Sequence, residues 1–231
     1  MRILPVGTSL TAGGLPNGMP RGWWCDVFAV GGSLFTGTNT GVLTSAPSGA
    51  RLHPASVNPP VAKHRPLVAE IGGAKLSDNI ASWSTLVTQY EPFDALIVEG
   101  NINDVIAATN QTTFGNQVDQ IIALGAKYSQ VFWLAAILGD IGNGENDTLF
   151  GNAFNTSIDT YNTIIQTRIA AAGSKYTFCN VRPGFKTWET ANNTSHLGQG
   201  LLTIDGVHLN ENGLGICKNL IEASGTVQWS T

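Results

Sequence analysis

Residues 95–104 read ALIVEGNIND, and this stretch decides the fold. Ala95, Leu96, Ile97 and Val98 follow one another with no polar residue between them. Such a run has no wet face, so it reads as a strand covered on both sides, as strands of a parallel sheet are. The run closes on Glu99 and Gly100, and Asn103-Asp104 then supplies a helix start.

The same alternation continues in both directions. Upstream, Arg2 to Val6 is a short apolar run ending in Gly7, and Leu67 to Ile71 is a second one ending in Gly72-Gly73. Between them lie a polar loop (Thr8 to Gly22), a short helix over Trp23 to Val30 and a long Gly/Pro/Ser/Thr-rich loop from Ser33 to Pro66 with room for one strand. Ser77 to Tyr90 is predicted as a helix capped by Ser77 or Asp78, with Ile80, Trp83, Leu86 and Val87 at helical spacing. Downstream come a helix over Thr113 to Tyr128, a strand over Gln130 to Leu138, a loop over Gly139 to Asp147 and a long helix over Phe154 to Ala172. A last strand, Tyr176 to Val181, precedes a closing helix over Leu214 to Glu222. The pattern predicts one α/β domain over residues 1–231. Its form is a flavodoxin-like three-layer α/β/α sandwich of about five parallel strands. The active site of such a sheet lies outside the carboxyl ends of its strands.

Composition narrows the function. Charged residues are 12% of the chain, about half the usual share, and Asn, Thr, Ser and Gly carry the polarity instead. That balance favours an extracellular or virion-associated protein. A net charge of −4 without a long basic run gives a nucleic-acid partner no support. No apolar stretch reaches the roughly 18–20 residues that span a bilayer, and the opening MRILPVG reads as a strand inside the fold rather than a signal peptide. Cys25, Cys179 and Cys217 are far apart and form no metal-binding pattern. Buried free thiols are the simpler expectation, and one disulfide with one cysteine left over is the alternative. Asn110, Asn146, Asn155, Asn192 and Asn193 head sequons that matter only in a eukaryotic secretory pathway.

Four segments carry chemistry: Gly7-Thr8-Ser9-Leu10 after the first strand, Gly72-Gly73 after the second run, Asn101-Ile102-Asn103-Asp104 after ALIVEG, and Asp205-Gly206-Val207-His208. An acyl-transfer site needs a nucleophile, a base, an acid that orients the base and donors for the oxyanion. A serine hydroxyl becomes a nucleophile when a base takes its proton, and histidine is the side chain whose protonation changes near neutral pH. Asp205, three residues before His208, is close enough on a tight loop to bond the other ring nitrogen. Singly, each has a plainer role: Ser9 as a helix cap, Gly73 as a turn glycine, Asn103-Asp104 as a helix start, Asp205 and His208 as a surface turn.

In order along the chain, these segments resemble the blocks of the GDSL/SGNH hydrolases. GTSL is similar to the GDSL block, IGGAKLSD to the block with the oxyanion glycine, NIND to GxND and DGVHLN to DxxH. RILPVGTSLTAGG and DGVHLNENG look particularly like members that remove acetyl groups from plant polysaccharides. The resemblance spans residues 2–215. It implies Ser9 as nucleophile, His208 as base and Asp205 behind it. The Ser9 and Gly73 amides and the Asn103 side chain are the implied oxyanion donors, and no metal or cofactor is needed. Two positions depart from the pattern: Thr8 stands where the family carries Asp, and Asn101 where it carries Gly.

The expected partner is a small-molecule or polysaccharide ester, and Trp23, Trp24, Asn101 and Trp188 are candidates for substrate contact. Trp133 is expected in the core. His53, His64 and His196 read as exposed or rim residues, and GDIGNGEND at 139–147 as a loop on the rim that matches no calcium-binding pattern. Rival readings are a lipase, lysophospholipase or thioesterase of the same fold, and a non-catalytic glycan-binding or structural virion module. The absence of a long apolar lid segment argues against the first. Thr8 keeps the second open.

Overall fold

Each apolar run becomes a strand because a run without polar side chains can only be buried on both faces. The computed structural model describes residues 3–8, 69–70, 73–88, 91–100, 102–136, 152–191 and 207–224. Its strands are β1 (Ile3–Gly7), β2 (Ala69–Glu70), β3 (Ala95–Glu99), β4 (Gln130–Leu134) and β5 (Tyr176–Cys179). They form one parallel sheet in the order β2-β1-β3-β4-β5. This is the doubly wound order expected from the alternation of elements.

β3 lies in the middle, pairing Val6 with Val98 on one side and Val98 with Trp133 on the other. All five of its residues are buried, so successive side chains are covered on both faces of the sheet. The helices that cover it are α1 (Leu76–Ala81), α2 (Trp83–Leu86), α3 (Ile102–Ile106), α4 (Gln111–Gly125), α5 (Asn152–Ala172), α6 (Arg182–Ala191) and α7 (Glu211–Ser224). α4 packs against α1 and α5, α3 against α5, and α6 against α7. Phe114, Val118, Ile121, Ile158, Ile165, Ile169, Leu214 and Ile221 bring the apolar stripes of α4, α5 and α7 into the core. Trp133 is fully buried, as expected.

Several boundaries differ from the expectation. The helix predicted over 77–90 is two short helices. Ser82 ends α1 and starts α2 in a non-helical conformation, its N–H closing α1 on the Asp78 carbonyl at 3.0 Å. The N-cap of α1 is Lys75 rather than Ser77 or Asp78, and Asp78 acts from the third helical position by accepting the Lys75 N–H at 2.9 Å. α4 starts at Gln111 because the Asn110 side chain accepts the Thr112 and Thr113 N–H groups at 3.0 and 3.3 Å. β4 ends at Leu134 and β5 at Cys179, both short of the predicted ends. α6 was not expected at all. The expected elements over Trp23–Val30 and Ser33–Pro66 lie outside the described residues. Cys179 and Cys217 are buried free thiols, and Cys25 lies outside the described residues. Among the described residues no helix is long and apolar enough to cross a membrane.

Gly100 shows how tightly the carboxyl end of β3 meets β4. A Cβ placed there would lie 2.4 Å from both the Ala136 nitrogen and the Leu134 oxygen. Both are backbone atoms, so no rotamer change relieves the clash. Gly100→Ala is therefore expected to cost about 3 kcal/mol through overpacking and to lower the thermal midpoint by about 10 °C. An unchanged midpoint in a thermal unfolding scan would contradict the close approach.

Candidate active site

All strands are parallel, so the segments after β1, β2 and β3 leave from one edge of the sheet. The order changes direction between β1 and β3, and the crevice at such a switch point is where doubly wound sheets bind ligands. Gly7-Thr8 leaves β1 there, and Glu99-Gly100 closes β3 beside it. The Thr8 N–H donates to Glu99 Oε2 at 3.0 Å, and the Thr8 hydroxyl donates to Oε1 at 2.6 Å. Both residues are buried, Thr8 at 0% and Glu99 at 4% exposure. Ser9 follows Thr8 in the chain and lies outside the described residues.

The segment after β2 carries Gly73 with φ +75°, a left-handed conformation that glycine adopts without a Cβ penalty. Nothing lies within 4 Å of a Cβ built there, so backbone conformation and not space selects glycine. The two residues that follow β3 at 103 and 104 grip this segment. Asn103 Nδ2 donates to the Ala74 carbonyl at 3.0 Å, and Asp104 Oδ2 accepts the Leu76 N–H at 2.8 Å. Asp104 thus satisfies an amide of the first turn of α1 from another element. Its second oxygen accepts the Thr109 hydroxyl at 2.8 Å. Burial raises the Asp104 carboxyl above its ordinary range, although the Leu76 and Thr109 bonds oppose the shift. Burial, helped by the Asp104 charge, also raises the Tyr161 phenol, whose hydroxyl donates to the Thr109 carbonyl.

His208 lies on the half-buried 207–210 segment that enters α7, and Leu209 beside it is buried. Asn210 caps that helix by accepting the Gly213 N–H at 3.0 Å, which fixes the backbone two residues after His208. Trp188 lies on α6, partly buried against the core. The structure therefore places Gly73 and Asn103 at the sheet edge where Thr8 follows β1. Ser9, Trp23, Trp24, Asn101 and Asp205 are outside the described residues. Among the described residues no cluster of His, Cys, Asp and Glu could hold a metal ion.

Three supports of this edge escaped the sequence reading. Glu99 is one, although an acid ending an apolar strand was a visible signal. Asn162 is another. It is buried on the Ile158-Ile165-Ile169 stripe of α5, and its amide bonds both the nitrogen and the oxygen of Ala136 at 2.9 Å, holding the backbone just past the end of β4. The third is Arg182, buried just past β5, with Nε donating to Asp159 at 2.5 Å while Lys186 reaches the same carboxylate at 2.6 Å. Burial would raise the Asp159 carboxyl, but these two cations outweigh it and hold it below its usual range.

A left-handed glycine therefore stands just before a helix start, and the residue after it is tied to an amide side chain on α3, just past the central strand. The parallel sheet and its flanking helices form an α/β fold that solved hydrolases share. An alpha/beta hydrolase enzyme from the metagenome of Lake Arreo, Spain, aligns with a TM-score of 0.62 at 16% identity over 99% of this chain and 96% of that one. The acetylxylan esterase Axe2 from Geobacillus stearothermophilus aligns with a TM-score of 0.61 at 13% identity over 99% of this chain and 94% of its own. Variants of Axe2 described as catalytic mutants replace a serine, an aspartate, and the histidine three positions after that aspartate. No protein-family model matches the sequence, and no curated protein matches it significantly. At these identities the likeness establishes the fold.

Proposed function

We propose that this chain is a serine esterase of the GDSL/SGNH type that hydrolyses short-chain O-acyl esters, chiefly O-acetyl groups on a carbohydrate. The observation that carries the reading is the bond from Asn103 to Ala74, which ties Asn103 to the residue after Gly73 at the sheet edge where β1 delivers Thr8 and then Ser9. Ser9 is the nucleophile, His208 takes its proton, and Asp205 holds the imidazole tautomer and stabilises the imidazolium. The Ser9 and Gly73 N–H groups and Asn103 Nδ2 receive the oxyanion. An acyl-Ser9 intermediate forms as the alcohol leaves, and water then releases the acid. The serine, aspartate and histidine replaced in Axe2, with the same aspartate–histidine spacing as Asp205 and His208, support this assignment.

The test is a series of p-nitrophenyl esters from acetate to long chains. Turnover is expected on acetate and to fall steeply as the chain lengthens. A preference for long chains would favour a lipase or thioesterase, and no turnover on any ester would favour a non-catalytic module.

A further inference from the structure

We infer that Glu99 is a positioning residue for the nucleophile. The inference rests on the serine-esterase reading and adds a group that the resemblance does not assign. Glu99 closes the central strand as an acid after four buried apolar residues. Burying a carboxylate is costly unless it is hydrogen-bonded, so its partners matter here. Both carboxylate oxygens accept from one residue, Thr8, through its N–H at 3.0 Å and its hydroxyl at 2.6 Å. Two bonds of this kind, one to the backbone and one to the side chain, remove the torsional freedom of the residue immediately before Ser9. The contact crosses from β3 to the end of β1, whose register the Val6–Val98 pairing fixes. The carboxylate therefore ties Thr8, the residue just past β1, to the central strand. This also gives a role to Thr8, which stands where the resembling family carries Asp. A threonine donates its hydroxyl to a neighbouring carboxylate, whereas an ionised aspartate can only accept.

The effect proposed for Glu99 on Ser9 passes through Thr8. Misplacing a nucleophile by a fraction of an ångström lowers the chemical step more than it lowers binding. Glu99→Gln puts an amide NH₂ against one of the two Thr8 donors. It is expected to lower kcat about 10²-fold with KM within about twofold, and to slow phosphonate labelling of Ser9 in parallel. Thr8→Val keeps Glu99 and the backbone bond but deletes the 2.6 Å hydroxyl bond. It is expected to lower both rates about tenfold, and it carries the test should Glu99→Gln fail to fold. Thr8→Ser, which restores a hydroxyl, should return both rates to near wild type. Folded Thr8→Val that labels at Ser9 and turns over at wild-type rates overturns the inference, even if its thermal midpoint falls, because that would be a purely structural role. A wild-type protein that takes no phosphonate at Ser9 contradicts the esterase reading itself, and the inference falls with it.

Discussion

Ser9→Ala is expected to abolish ester hydrolysis, with kcat reduced by about 10⁶-fold, the scale of loss when a catalytic serine is removed from a triad enzyme. The size follows from the mechanism. Without the hydroxyl no acyl-enzyme forms, and only the oxyanion donors and binding remain to help water attack directly. The fold should survive, because a small polar side chain at a strand end contributes at most about 1 kcal/mol through capping. Kinetics on an acetyl ester together with a thermal scan measure both halves of this expectation. Turnover within a few-fold of wild type removes Ser9 as nucleophile.

The second large effect separates two roles. Asp205→Asn is expected to lower kcat/KM by about 10⁴-fold, because the amide holds the imidazole in the wrong tautomer. Asn103→Ala is expected to lose about 10²–10³-fold, mostly in kcat, since an oxyanion donor acts on the transition state. The bond from Asn103 to the Ala74 carbonyl adds to that loss, because its removal also loosens the segment next to Gly73. The pH profiles should differ in kind. In Asn103→Ala the base and its acid are intact, so the acidic limb of kcat/KM stays where the wild type has it. In Asp205→Asn the protonated imidazole loses its carboxylate partner, protonation becomes less favourable, and the limb moves to lower pH. A limb that shifts in Asn103→Ala and stays in Asp205→Asn reverses the two assignments.

The fold was legible where burial is written in consecutive residues. ALIV at 95–98 and VFWL at 131–134 have no alternation, and both became buried strands of a parallel sheet. α6 was not legible, because Arg182-Pro183-Gly184 looks like a stop. Proline is tolerated in a first turn, where its missing N–H has no partner within the helix in any case. The single helix expected over 77–90 breaks at Ser82, whose backbone leaves the helical range despite the apolar spacing on either side. Of the candidate site, Gly73 and Asn103 stood out in the sequence as block residues, and the structure ties Ala74, the residue after Gly73, to Asn103 without testing their roles. The partners of Thr8 and Asp104 did not stand out. Thr8 meets Glu99 from 91 positions away, and only the strand register brings them together. Asp104 meets the first turn of α1 from 28 positions away. Sequence spacing is silent about such pairs, whereas a glycine of positive φ or a buried run leaves its mark locally.

The central claim is that an acyl group passes through Ser9, and rapid-quench peptide mapping tests it most directly. The wild-type protein is mixed with a p-nitrophenyl acetate excess, quenched in acid during turnover and digested, and its peptides are weighed. The account predicts the mass of one acetyl group on the peptide that contains Ser9, released on further incubation and absent from Ser9→Ala. Turnover accompanied by acetylation of a different residue, with the Ser9 peptide unmodified throughout, would contradict it.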